Sequence, residues 1–386
     1  MASRAERSAF NEWWWTVDRL MLVALLALMF IGVVLLLAAS PAVAERIGIQ
    51  DIFHFVNRQA IFIPPAIAVM VGMSFLSPPA IRRVSLVVFL IATGLVMATL
   101  LFGVEVKGSR RWIFGIQPSE FLKPAFVVLA AWLFSESVKR RDVPGNILAI
   151  LLLGSSAALL ILQPDFGQTM LLSIVWCALF FMAGLHWFWV IGLGGAGVVG
   201  IAAAYVLIPH VTARIDKFLN PDGTDNFQVE TAMEAFQSGG WLGKGPGEGT
   251  VKRILPDSHT DFIGAVTAEE FGILFCMALV AIFAFVVLRG LWHAYKLEDP
   301  FCRFATAGLT LLFGLQSSIN LMVNLHMMPA KGMTLPFISY GGSSLIAVAY
   351  AMGMVLALTR RRPRSDVLAQ TWRFREREDE LAAEAA

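Results

Sequence analysis

Apolar runs of about twenty residues recur along nearly the whole chain, and that repetition decides what the chain can fold into. They lie near 17–39, 59–77, 84–103, 119–137, 145–162, 167–184, 188–208, 262–288, 302–327 and 343–359. A hydrocarbon core about 30 Å thick is crossed by ~20 helical residues. With 57% of 386 residues hydrophobic and only 15% charged, the chain carries more apolar surface than a water-soluble core could hide. In lipid every backbone N–H and C=O must be paired internally, which leaves helices or closed barrels, and no period-two alternation points to a barrel. The expected fold class is an all-α polytopic membrane protein of about ten transmembrane helices. One domain covers 1–360, and 361–386 form a charged tail, either a solvated segment or a helix that docks a partner. Cys177, Cys276 and Cys302 all sit in or beside apolar runs, so neither a disulfide framework nor a zinc site is suggested.

The string Ala42-Val43-Ala44 resembles a signal-peptidase site. The run before it, Leu20 to Ala39, exceeds the ~7–15 residues of a signal core, and Trp13-Trp14-Trp15 reads as an interfacial anchor. An uncleaved first span is expected.

Positive charge orients the spans. With the N-terminus inside, the cytoplasmic segments carry Arg4 and Arg7, Arg82-Arg83, Lys139-Arg140-Arg141, Arg289 with Lys296, and Arg360-Arg361-Arg362 with Arg364. Both termini are then cytoplasmic, and the long segment 209–261 between helices 7 and 8 is extracytoplasmic. Lys107, Arg110, Arg111 and Lys331 in outward loops break the rule, and an anionic ligand explains such cations better than topology does. The glycines of Gly192-Leu193-Gly194-Gly195-Ala196-Gly197 suggest close helix packing in span 7, with local flexibility as the plainer alternative.

Four outward clusters carry the polar chemistry. The first runs Lys107-Gly108-Ser109-Arg110-Arg111-Trp112 and then Gln117-Pro118-Ser119-Glu120-Phe121-Leu122-Lys123. Glu120 and Lys123 share a helix face at i,i+3, as a self-neutralising pair or as functional intramembrane charge. Arg110 and Arg111 suit either headgroup anchoring or phosphate binding. In the second, Gln163-Pro164-Asp165-Phe166-Gly167-Gln168, Asp165 and Gln168 read as a capping box that could also line a cavity.

The third cluster is the long loop. Asn226-Phe227-Gln228-Val229-Glu230 opens a short amphipathic stretch. Trp241-Leu242-Gly243-Lys244-Gly245-Pro246-Gly247-Glu248-Gly249 follows, with glycine at alternate positions from Gly243. Such backbone can approach a ligand closely, but it is no P-loop, so no nucleotide cofactor is expected. The loop ends at Ser258-His259-Thr260-Asp261, a carboxylate where polar loop meets apolar helix; Ser258 and Asp261 also fit a helix cap. Glu269-Glu270, deeper in that helix, read as paired polar glue or as a cavity wall. In the fourth, Pro329-Ala330-Lys331-Gly332-Met333-Thr334-Leu335-Pro336-Phe337-Ile338-Ser339-Tyr340-Gly341-Gly342, prolines and glycines deny a continuous helix, which membrane proteins tolerate where backbone lines a cavity, and Lys331, its lone cation, suits phosphate binding or loop anchoring equally.

The ordered set of four motifs, over roughly residues 17–360, is similar to the SEDS (shape, elongation, division, sporulation) family. That resemblance implies a peptidoglycan glycosyltransferase that polymerises lipid II into β-1,4 glycan strands. Pro329-Ala330-Lys331-Gly332-Met333-Thr334-Leu335-Pro336 is closer to the division branch, whereas the elongation branch usually lacks the lysine. Asn226-Phe227 stands where relatives usually have Gly-Tyr. By resemblance, Asp261 matches the essential loop aspartate and the catalytic base. Glu120 with Lys123, and Asp165, match characteristic groups of spans 4 and 6. Arg110, Arg111, Lys331, Gln228, Lys244 and His259 complete the expected substrate-binding set. A divalent cation, Mg or Mn, is a candidate cofactor without an evident ligand set, and no organic cofactor or nucleic acid is expected. The implied partners are lipid II, membrane lipid, a class B penicillin-binding transpeptidase and other division membrane proteins. The implied location is the inner membrane at the septum. A lipid II flippase is the competing class, and a noncatalytic scaffold or an elongation-type polymerase are further alternatives.

Overall fold

Each apolar run becomes a helix in the computed structural model, which describes residues 9–106, 109–140, 142–184, 187–207, 211–212, 215–216, 227–329 and 332–360. Lys331, Asn226 and the tail 361–386 lie outside the described residues. A short helix α1 (Ala9–Thr16) lays down Trp13 to Trp15. The membrane helices are α2 (Arg19–Arg46), α3 (His54–Ser74), α4 (Pro78–Phe102), α5 (Pro118–Lys139), α6 (Gly145–Leu162), α7 (Phe166–Met182) and α8 (Trp187–Leu207). An amphipathic helix α9 (Phe227–Gly239) precedes α10 (Ile263–Lys296), α11 (Pro300–Asn324) and α12 (Gly342–Leu358). Seven of these meet length and hydropathy criteria for crossing a bilayer, and α7, the Ile191–Leu207 part of α8, and α12 are shorter apolar stretches. Residues Ala42 to Ala44 continue α2 and are buried.

Position in the bundle follows composition. A helix apolar on every side is buried or faces lipid. α12 is buried along its whole length, and α5 over most of it. α4 and α6 turn most of their side chains outward, where lipid solvates them. The glycines of α8 make no close contact: a Cβ at Gly192, Gly194, Gly195 or Gly197 would meet nothing within 4 Å. The expected packing role of these glycines is therefore corrected, because among the described residues nothing comes within contact of those four positions.

The basic motifs gather at one end of the bundle. Arg289 and His293 of α10 reach Asp18, the N-cap of α2, at 2.6 and 2.7 Å. Lys139 of α5 pairs with Asp299, the N-cap of α11, at 2.6 Å. Burial, the largest single influence, works to raise the Asp299 carboxyl, but the hydrogen bonds from Lys139 and Cys302 and the Lys139 charge together hold the group below its usual range. Arg82 of α4 approaches Glu136 of α5, and Arg360 donates to Thr16. The four polar clusters occupy the opposite end.

There the sequence departs furthest from ordinary helix. α10 is interrupted at Gly272 (φ 80°, ψ 172°). The freed backbone groups are taken up by the loop after α9. Lys244 N and Gly245 N donate to the carbonyls of Glu269 and Glu270, while Ile273 N and Leu274 N donate to those of Gly240 and Trp241. A helix break in a membrane survives only when its orphaned groups are paired, and here a glycine-rich segment pairs them. Gly243 sits at φ 79° with its would-be Cβ 2.2 Å from the Glu270 carbonyl oxygen. Gly243, and Gly249 against the Glu269 carboxylate, thus serve close approach to α10. Gly243→Ala combines left-handed strain of roughly 1–2 kcal/mol with displaced backbone worth about 1–3 kcal/mol. A marked fall in detergent melting temperature is expected, and a variant melting with the unsubstituted protein would refute the loop insertion.

Glu269 and Glu270 resolve as paired glue. Both are fully buried. Glu269 accepts from the N–H groups of Thr250, Val251 and Lys252 at 2.7, 2.8 and 2.9 Å, at the mouth of a short 3-10 turn (Val251–Arg253). Lys244 approaches the same carboxylate at 3.4 Å. Glu270 pairs with Lys252 and accepts from Gly247 N at 3.0 Å.

Candidate active site

Asp261 lies one residue before the α10 N-cap, and its backbone is gripped from α11. Its carbonyl accepts from Asn320 Nδ2 at 3.0 Å and from Asn324 Nδ2 at 2.9 Å. Asn324 Oδ1 in turn accepts from Ala265 N at 3.2 Å, serving the first turn of α10. The expected Ser258–Asp261 cap is corrected. The N-cap residue is Phe262, without a side-chain cap, and Ser258 is buried. A distant amide from α11 does the capping instead.

The irregular segment 332–341 closes over the same place. Tyr340 N donates to the His259 carbonyl at 2.9 Å, and Ser339 Oγ to that of Thr260 at 2.6 Å. Asn320 Nδ2 also reaches the Met333 carbonyl at 2.6 Å. A Cβ on Gly332 would lie 3.8 Å from Asp261 Oδ2, so this segment passes beside the carboxylate. His259 packs between Phe55 and Tyr340, with ring centroids 4.3 and 5.6 Å away. Asp261 itself is only partly buried, as a group that must meet a substrate should be.

Behind this surface lies a buried polar cluster. Lys123 Nζ contacts Glu120 Oε1 and Oε2 at 2.9 and 3.0 Å, Gln168 Oε1 at 2.9 Å and Gln316 Oε1 at 3.3 Å. The Lys123 side chain is 2% exposed. Gln168 Nε2 returns to Glu120 Oε1 at 3.3 Å, so α5, α7 and α11 meet through one knot. Only half of the expected capping box forms: Asp165 accepts from Gln168 N at 3.4 Å, but the Gln168 side chain turns to Lys123 and Glu120. Arg111 Nη1 lies 3.4 Å from Asp165 Oδ2, and the guanidinium also donates to the carbonyls of Gln163, at 3.2 Å, and Pro164. Burial pushes the Asp165 carboxyl above the usual carboxylate range, with Arg111 and Lys123 pulling it down.

The other expected residues lie apart. Arg110 is exposed on a two-stranded hairpin, β1 (Val104–Val106) and β2 (Ser109–Trp112), where it approaches Glu105 at 3.6 Å. Lys244 belongs to the α10 break, and Gln228 is half-buried in α9. Sequence reasoning missed Gln316, Asn320 and Asn324. Their signal was available: three amides spaced by four in an apolar helix share one face. Among the described residues no group of three or more His, Cys, Asp or Glu side chains is arranged to hold a metal ion.

The family model for the FtsW, RodA and SpoVE cell cycle proteins matches residues 18–363. The chain belongs to this family, the SEDS proteins. Among its SEDS relatives, a protein of Caulobacter vibrioides named as a probable peptidoglycan glycosyltransferase FtsW is 49% identical over 365 residues, covering 94% of both chains. One of the same name from Geobacter sulfurreducens is 34% identical, covering 89% of this chain and 95% of its own. Among solved structures, a chain of a peptidoglycan synthase complex that coordinates polymerisation and crosslinking superposes with TM-score 0.76 at 25% identity. It covers 90% of this chain and 99% of its own. The rod shape determining protein RodA of Thermus thermophilus matches with TM-score 0.66 at 26% identity, over 91% of this chain and 99% of its own.

Proposed function

We propose that this SEDS protein is a peptidoglycan glycosyltransferase of the division branch, polymerising lipid II into β-1,4 glycan strands at the septum. The observation that carries the reading is the seat of Asp261: a partly buried carboxylate where loop meets membrane helix, its carbonyl held by α11 and the two residues before it bound by segment 332–341. Relatives named FtsW, aligned along almost the whole chain, support the reaction and the division role.

In this proposal Asp261 takes the proton from the acceptor sugar's 4-hydroxyl as that oxygen attacks the donor's anomeric carbon. The bond from that carbon to the pyrophosphate oxygen breaks, and the configuration inverts. Arg110, exposed on the hairpin, and Lys331, which directly precedes Gly332 in the chain, meet the departing pyrophosphate. Glu120, Lys123, Arg111 and Asp165 act from behind, holding α5, α7, the hairpin and α11 in register. A divalent cation, which no group of three or more described carboxylate, histidine or cysteine side chains is arranged to hold, would depend on the pyrophosphate oxygens for its site, since magnesium commonly binds through one or two carboxylates plus substrate phosphates. No step is assigned to it, and chelation followed by readdition of Mg or Mn reads its contribution. A class B, FtsI-like penicillin-binding transpeptidase is the proposed partner, in keeping with the synthase complex that the fold matches.

Polymer formation from purified lipid II by the purified chain with its transpeptidase tests the reading. A lipid II flippase or a scaffold would give no polymer.

The proposed orientation puts both termini in the cytoplasm and 209–261 outside, supported by the gathering of Arg82, Lys139, Arg289 and Arg360 at one end. In a background lacking Cys177, Cys276 and Cys302, an impermeant thiol reagent applied to intact cells should label Asp222→Cys and spare Ser365→Cys. The reverse pattern would invert the topology.

A further inference from the structure

We propose that Asn320 and Asn324 of α11 are positioning residues for the reaction, forming a clasp that sets where the Asp261 carboxylate stands. Gln316, Asn320 and Asn324 recur every four residues, and none is more than 3% exposed. Amides buried at membrane depth persist only when their hydrogen-bonding groups find partners. These spend theirs on two chain segments far apart in sequence. The Asp261 carbonyl receives both Asn320 Nδ2 and Asn324 Nδ2, so the peptide group next to the carboxylate is held from two directions. Asn320 Nδ2 also binds the Met333 carbonyl, and Gln316 Nε2 binds that of Thr334 at 3.1 Å. Segment 332–341 is thereby tied to the peptide it covers. Asn324 Nδ2 donates as well to the Asn320 carbonyl at 2.9 Å, and Asn324 Oδ1 caps Ala265.

The stripe also runs backward. Gln316 Oε1 faces Lys123 Nζ at 3.3 Å, so the Glu120–Lys123 knot reaches the Asp261 loop through one helix face. A plain packing role for the stripe would require only that each amide be satisfied. Two of them converging on one carbonyl, beside the carboxylate that Gly332 passes, is the geometry that orients a reacting group. A misplacement of about 1 Å at a reacting group can cost on the order of 10²-fold in rate.

The clasp rests on the reading of Asp261 as base, and the experiment separates the two. Full-length protein in nanodiscs, as the unsubstituted chain, Asn320→Ala, Asn324→Ala and Asp261→Asn, is examined by hydrogen exchange of 257–265 and 332–341. The same samples are assayed with lipid II for kcat, KM and the rate–pH profile. Asn320→Ala should speed exchange in both segments and lower kcat about 10²-fold. Its KM should change less than about threefold, because ground-state binding is untouched. The acid limb of its pH profile should move, which loss of stability alone would not cause. Asn324→Ala should speed exchange at 257–265 and lower kcat in the same sense, and it supplies the kinetic test should Asn320→Ala fail to fold. Unchanged exchange in 332–341 for folded Asn320→Ala, or unchanged kcat per folded molecule in both variants, overturns the clasp. Normal polymerisation by Asp261→Asn would instead remove the base assignment, and the clasp would then stand or fall on hydrogen exchange.

Discussion

Asp261→Asn should give a stable, partner-binding protein whose polymerisation of lipid II falls on the order of 10²–10⁴-fold, the usual cost of losing a general base. The substitution keeps size and removes only the negative charge. What α11 grips is the Asp261 carbonyl, which asparagine retains, and the first turn of α10 is capped by Asn324 rather than by residue 261. Insertion and folding therefore have no reason to fail. Glycan length on gels, measured beside detergent melting and co-purification of the transpeptidase, reads all three outcomes. Near-normal polymer from a folded variant would move the base to Glu120 or Asp165. Both are poorer starting points: Glu120 holds Lys123 in the interior, and Asp165 is paired with Arg111 and buried.

The membrane helices were legible because lipid imposes one requirement, a run of apolar residues of fixed length, that survives any change of packing. Helix ends were less so. α2 runs on to Arg46 and α10 to Lys296, since polar residues can continue a helix outside the hydrocarbon where hydropathy no longer marks it. The interruption at Gly272 was invisible for a different reason. One glycine in an apolar run reads like any other, and what makes it a break is the 240–245 backbone that pairs with it.

The candidate site divides in the same way. Asp261 stood out because a carboxylate at a loop–helix junction is unusual chemistry. The roles of the cations did not follow from residue type. Lys123 was legible as half of an i,i+3 pair with Glu120, and that pair forms, but its enclosure by Gln168 and Gln316 was not; Arg111 read as an outward positive charge, yet it is spent on Asp165 and two carbonyls. Which charges face a substrate depends on contacts across helices distant in sequence. Ser258 and Asp261 matched a local capping pattern, but a residue of α11 took the cap, a tertiary partner that no local pattern contains.

Lys123→Ala is expected to act first on the fold. It leaves the Glu120 carboxylate, both of whose oxygens face Lys123 Nζ, without its cation inside the bundle, and it leaves the Gln168 and Gln316 acceptors unserved. Breaking a buried pair from one side costs about 3–5 kcal/mol, whereas replacing both partners by neutral groups of similar volume is often close to neutral. Lys123→Ala should accordingly melt far below the unsubstituted protein, and Lys123→Met with Glu120→Gln should regain most of that loss. Binding of lipid II should return with stability in the double variant, because a buried lysine held by three side chains presents no ammonium to a pyrophosphate. Its kcat should stay depressed, since Gln316 loses the partner on one side of its link to the Thr334 carbonyl. If Lys123→Ala melts with the unsubstituted protein and still fails to bind lipid II, the lysine reaches substrate directly and its enclosure by Glu120, Gln168 and Gln316 is not the state that works.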